Sequence, residues 1–159
     1  MTATRQIANV HETVTVNTSI DRAFEVFTAN ITSWWPAEHH IGDKPFAEVV
    51  IEPRAGGRFF ERDADGTECL WGSVLAYDPP HRVVLGWHLQ PDWNYDADPG
   101  KASEVAVRFI EEGPNTTRVE LEHGRFERHG TGGEEMRNSV DSDGGWAGIM
   151  RKFQAQANA

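Results

Sequence analysis

Residues 68–89, ECLWGSVLAYDPPHRVVLGWHL, restrict the folding of this chain more than any other stretch. Two runs rich in Val, Leu, Tyr and Trp flank Asp78-Pro79-Pro80-His81. Proline has no N–H to give to a hydrogen-bond ladder, so the first run must stop there and the second begins at Arg82. The pattern predicts a β-hairpin. In the second run Val83, Leu85, Trp87 and Leu89 share one face, and Val84, Gly86 and His88 share the other. That is the period of a strand with one apolar side, and the same parity places His88 toward solvent. The apolar face needs a cover. Only helical patterns toward the two ends of the chain are long enough to supply it, which points to a sheet folded around a helix.

The flanking sequence fits that plan. Residues 10–17 are rich in β-branched side chains and predict a strand. Thr18-Ser19 then supplies N-cap oxygens and Asp21 a first-turn acid, after which Ile20, Phe24, Phe27, Ile31, Trp34 and Trp35 recur at helical spacing up to Pro36. One amphipathic helix, or two short ones broken near residues 28–30, satisfies this pattern. Strands follow at 46–51 and 58–62, and Asp63-Ala64-Asp65-Gly66 carries a hairpin turn into the central stretch. Residues 90–102 form a long polar loop holding Trp93 and Tyr95, the kind of loop that often serves function. Alternation at 105–109 and 119–123 predicts two more half-buried strands, and 124–133 reads as a glycine-containing loop before a short helix at 134–140. Finally Trp146, Ile149, Met150 and Phe153 trace one apolar stripe on a helix of about 22 Å.

Composition narrows the function. At 159 residues the chain has the size of a single domain with a real core. Its 25 acidic against 15 basic side chains give a net charge of -10, which argues against nucleic acid and anionic membrane surfaces as partners. Cys69 is the only cysteine, so an intramolecular disulfide is excluded and a reducing, cytoplasmic compartment is expected. No run has the character of a signal peptide or a membrane span.

No catalytic motif stands out. His39-His40 is the obvious place to seek a metal, but adjacent residues diverge, whereas helical metal sites use i, i+4 pairs. The Asp-rich segments at 63–66, 96–98 and 141–144 begin like calcium loops and do not continue as such, so they read as turns and caps. There is no phosphate loop and no nucleophile elbow. His123 shares the parity of Val119 and Leu121, which directs it toward the apolar side as a core, rim or ligand-facing histidine. The aromatic complement of six Trp, eight Phe and two Tyr suits both a core and an aromatic-lined pocket.

Certain motifs point to a family. Ala23 to Thr28 with Trp34-Trp35-Pro36, Gly56-Gly57-Arg58-Phe59, Trp71-Gly72-Ser73-Val74 with Pro79 to Val84, Thr117 to His123, and Gly145-Trp146 resemble the activator of heat-shock-protein-90 ATPase homologue family. That family lies within the START-like (SRPBCC) superfamily, and the likeness runs from about Val10 to Phe153. It implies one START-like domain over residues 1–159, of α+β helix-grip type. A seven-stranded antiparallel sheet would wrap a long C-terminal helix, with one or two short helices between strands 1 and 2. It also implies a cavity between sheet and helix that takes a small hydrophobic or amphipathic molecule. Trp35, Trp71, Trp87, Phe109, Leu121, His123, Trp146 and Met150 are the residues expected to line it. No cofactor or metal is implied, and a homodimer is compatible with it. A binding domain is the first expectation. The alternative is a cyclase- or dehydratase-type enzyme acting on an aromatic polyketide-like substrate, with His123 and Glu48 as the groups to test. A module that interacts with a chaperone is a third reading. The co-chaperone that names the family carries a further N-terminal domain, for which 159 residues leave no room, so chaperone activation is not expected.

Overall fold

A computed structural model describes residues 7–159. Strand β1 (Val10–Val16) leads into helix α1 (Ile20–Phe27), and the chain then runs through β2 (Phe46–Ile51), β3 (Arg58–Asp63), β4 (Glu68–Asp78), β5 (Arg82–Trp87), β6 (Ser103–Gly113) and β7 (Thr116–Gly124). Helices α2 (Gly133–Val140) and α3 (Trp146–Ala157) complete it. All seven strands form one antiparallel sheet in the order β1-β7-β6-β5-β4-β3-β2. The sheet is therefore a meander from β2 to β7, with β1, which precedes α1, paired beside β7. This is the seven-stranded α+β helix-grip arrangement.

Local chemistry accounts for the boundaries. The Ser19 hydroxyl accepts from the Arg22 backbone N–H and opens α1. The helix stops at Thr28, whose hydroxyl donates to Phe24 O at 2.7 Å, and a 3₁₀ turn at Ile31–Ser33 brings Trp34 and Trp35 inward. Of the two helical readings, the broken one is correct. Helix α3 is 12 residues, or about 18 Å, shorter than its pattern predicts. It begins where Gly145 packs so tightly that a Cβ there would lie 2.2 Å from Val140 O.

The stripe of α3 buries Trp146, Ile149, Met150, Phe153 and Ala157. Phe153 packs edge-on against Phe27 and Trp34 at 5.2 and 5.3 Å, and Phe27 and Phe24 meet Phe109 on β6. These rings join α1, α3 and the sheet into one core, and geometry of this kind adds to the stabilisation from their buried area. Phe109, Leu121 and Met150 are all fully enclosed in this core.

The opposite face of β2 to β4 is charged. Arg58 pairs with Glu52 and Glu68, and Arg62 with Glu48 and Glu68. No helix among the described residues is long and apolar enough to cross a membrane.

Candidate functional site

The apolar side of the sheet does not close completely on α3. A cavity of about 670 Å³ remains, with Trp35, Trp71, Trp87, Trp146 and Ile149 in its walls and Trp93 on the loop after β5. Its polar lining comes from Glu38, His39, His40, Asp92 and Asn94, together with Ser139 of α2 and Ser142 just after it. No lysine or arginine among the described residues lines it.

The indoles form a connected set. Trp35 lies 5.3 Å from Trp71 and 6.1 Å from Trp146, and Trp87 lies 5.8 Å from Trp146 and 6.5 Å from Trp93. Most of their N–H groups are tied down. Trp35 Nε1 donates to His39 O at 3.1 Å, Trp71 Nε1 to Glu61 Oε1 at 2.9 Å, and Trp146 Nε1 to His123 Nδ1 at 3.0 Å. Each bond fixes a ring plane and so the shape of the wall.

Behind Trp146 runs a buried polar chain whose direction can be read from its end. An indole can only donate, so His123 Nδ1 must accept, and its Nε2–H donates to Ser103 Oγ at 2.8 Å. The Ser103 hydroxyl in turn donates to His129 Nε2 at 2.7 Å, and His129 Nδ1–H to Gln90 Oε1 at 3.3 Å. Gln90 completes the chain by donating to the carbonyls of His88 and Lys101. Every histidine in it is neutral by this assignment. Burial pushes the His123 imidazole down to about 3, and the same cause lowers His129.

Glu61 plays a matching role on the other wall. It is buried, and besides Trp71 it accepts from the backbone N–H groups of Ile41, at 2.5 Å, and Gly42. One carboxylate thus ties β3 and β4 to the loop carrying His39 and His40. At the rim, His39 Nε2 donates to Gly144 O at 2.7 Å, bridging that loop to the turn before α3. His40 Nδ1 donates to Gly42 O. Asp92 is held below the usual carboxylate range by the Asn94 backbone N–H, so the rim carries negative charge at neutral pH.

The eight residues expected to line a cavity therefore divide. Trp35, Trp71, Trp87 and Trp146 stand in its walls. His123 sits behind Trp146, with both ring nitrogens used within the protein. Phe109, Leu121 and Met150 belong to the packed core, and beside Trp146 the α3 residue that reaches the cavity is Ile149, one position before Met150. Glu48 lies outside the cavity, on the side of β2 opposite Val49 and Ile51, paired with Arg62.

Other side chains went unread in the sequence. His88 is buried, against the expectation from its parity, because the loop after β5 folds back over that face. Tyr95 stacks on its ring at 5.5 Å, its Nδ1 donates to Asp96 O, and Ser73 Oγ donates to its Nε2. Gly72 and Gly86 leave room for it, since a Cβ on Gly86 would lie 3.2 Å from His88 Nε2. Ser103, His129 and Glu61 carried no periodic mark either, although the two aromatics in the loop at 90–102 did flag that segment.

Residues 17–157 match the family model described as activator of Hsp90 ATPase homolog 1-like protein. No curated protein sequence matches the chain. Among solved structures, an anthrahydroquino-gamma-pyrone synthase, Txn09, is 38% identical, with 94% of this chain and 97% of that one aligned and a TM-score of 0.66. CalC, a self-sacrificing resistance protein from Micromonospora echinospora, is 31% identical over 94% and 93%, with a TM-score of 0.68. The Aha1 dimer from Colwellia psychrerythraea shares the fold at 12% identity, over 96% and 97%, with a TM-score of 0.61.

Proposed function

Because the chain belongs to the activator of Hsp90 ATPase homolog 1-like family, we propose that it binds a planar aromatic or amphipathic small molecule in the tryptophan-lined cavity between the sheet and α3. The observation that carries this is the convergence of four indoles from β4, β5, α3 and the segment after α1 on one cavity of about 670 Å³. That volume falls in the range of ligand pockets, and flat rings offset against one another suit a fused-ring ligand. The acidic rim favours a neutral or cationic polar end over a carboxylate. Support also comes from Txn09, whose name denotes a polycyclic aromatic product. A reducing compartment fits the single free Cys69. For a homodimer the support is limited to the fold, shared with the protein described as the Aha1 dimer, and sedimentation would read the mass directly.

One observation favours a second reading, that the domain also turns its ligand over. His39 and His40 each donate one ring N–H to a carbonyl, which leaves the other nitrogen of each neutral ring a base at the cavity rim. An enzyme of this design would use these two histidines, since His123 has no free nitrogen and Glu48 lies outside.

Native mass spectrometry of protein isolated from its own host tests the primary reading. An adduct that dissociates as an aromatic small molecule is the expected result, and it should be lost when Ile149→Trp fills the cavity. Bare protein together with no affinity for any neutral tricyclic aromatic would refute it. For the second reading, the recovered ligand incubated with native protein should convert, and His39→Ala with His40→Ala should stop conversion while leaving binding.

A further inference from the structure

Three indoles run in a row from the depth of the cavity to its mouth. Trp146 and Trp87 are 2% and 5% exposed and lie 5.8 Å apart, and Trp93 follows 6.5 Å beyond Trp87 with 43% of its surface open. Trp93 lines the cavity together with its neighbours Asp92 and Asn94. Its ring meets Trp87 edge-on, and its side chain makes no hydrogen bond among the described residues, whereas those of Trp35, Trp71 and Trp146 are tied down.

The backbone beneath this loose indole is fixed and strained. Trp93 has φ 65°, in the left-handed region that glycine and asparagine tolerate and that costs a bulky residue free energy. A tight turn imposes it. The Trp93 N–H donates to Gln90 O at 2.7 Å, the Gln90 N–H to Asn94 O at 2.9 Å and the Asn94 N–H to Asp92 Oδ1 at 3.0 Å, above a bridge between Leu89 and Tyr95. The Gln90 side chain anchors the base of the turn on the carbonyls of His88 and Lys101. None of these bonds uses the indole, so asparagine at position 93 would make the same turn with less strain. The turn thus sets a large flat ring at the cavity mouth without needing it for its own folding.

We infer that Trp93 is a specificity-determining residue of the cavity, whose indole turns over the mouth and stacks on the outward end of the bound aromatic. This rests on the proposed binding role of the cavity and adds to it how the ligand is covered. The hairpin stays in place and the side chain moves, so the open surface of Trp93 is buried in the complex and the outward side of the ligand is withdrawn from water. That burial and the ring contact stabilise the complex and not the free protein. A ligand flat at its outward end is favoured. One carrying a bulky saturated group there holds the indole off and loses the contact.

The test uses 9-fluorenone, a flat and neutral tricyclic probe, in equilibrium dialysis against native protein and Trp93→Asn. The variant should bind it about tenfold more weakly, the ratio expected when one ring contact and its buried area are lost. Its urea midpoint should equal or exceed the native one, because asparagine relieves the strained φ. The second measurement is made on the native sequence labelled with 5-fluorotryptophan, the Trp93 resonance being identified by its absence from Trp93→Phe. Exchange of H2O for D2O should shift that ¹⁹F resonance in the free protein, and saturation with the probe should remove the shift, which decides the assignment even if Trp93→Asn folds poorly. An affinity within about twofold of native in a folded Trp93→Asn, or a solvent shift that persists in the complex, would overturn the assignment while leaving the binding role of the cavity intact. Failure of the native protein to bind the probe would refute that role and the assignment with it.

Discussion

Trp146 Nε1 donates to His123 Nδ1 at 3.0 Å, joining the first residue of α3 to the end of β7 by a bond within the core. The bond places one cavity wall, and it holds only while His123 Nδ1 has a lone pair to offer. A cation at His123 would set two donors face to face, so the position of Trp146 is linked to the neutrality of a buried imidazole.

Acid should therefore destabilise the fold through His123. Its folded-state value is about 3 against an ordinary 6.5, so between these limits the unfolded chain binds a proton that the folded one does not. The contribution is fully present above about pH 6.5 and is lost as pH falls toward 3, at up to ~1.4 kcal/mol per pH unit. His129 is shifted in the same direction and adds to it. Urea midpoints at pH 4, 5, 6 and 7 should fall with acid in the native protein, and His123→Asn should be less stable at pH 7 with a shallower acid limb. Parallel limbs would mean that His123 is not the group responsible.

Glu61 should matter for stability as much as any apolar core residue. Glu61→Leu would leave the N–H groups of Trp71, Ile41 and Gly42 without their acceptor, at a cost of about 3 kcal/mol or more. Glu61→Gln, which keeps one oxygen, should lose roughly half as much. A Leu variant within about 1 kcal/mol of native in chemical denaturation would show that water takes over these donors.

His39 offers the opposite case, an exposed bond with a kinetic role. His39→Ala removes the bridge to Gly144 and should change stability by less than ~1 kcal/mol, while a bound aromatic probe leaves several-fold faster in stopped-flow dissociation. An unaltered off-rate would show that the bridge does not govern exit.

Much of this was legible in the sequence, for physical reasons that also mark where legibility ends. Alternation at Val83, Leu85 and Trp87 and the stripe from Trp146 to Phe153 are consequences of backbone period, so the sheet, the covering helix and its inward face could be read directly. The period identifies a face and not a depth. Met150 and Ile149 both lie on the buried stripe, yet only Ile149 reaches the cavity, because the choice depends on how α3 is rotated against the sheet. His88 was misread because parity assumes an open outer face, whereas the loop bearing Tyr95 and Asp96 covers it. Ser103, Gln90 and His129 come together from three separate segments, and no spacing rule connects them.

The central claim is that the space beneath α3 is a binding cavity, and adjacent helix positions test it with opposite expected outcomes. Ile149 lines the space, so Ile149→Trp should fill it with little loss of stability and abolish binding of a neutral aromatic probe such as N-phenyl-1-naphthylamine. Met150 is enclosed in packed core, so Met150→Trp should cost ~1–3 kcal/mol. The decisive measurement is the affinity of that probe for native protein and for Ile149→Trp, with a urea midpoint on each. Saturable binding to the native protein, lost in an Ile149→Trp variant of near-native stability, is the predicted result. Absence of binding to the native protein, together with strong destabilisation by Ile149→Trp, would show that the space is ordinary core and contradict the account.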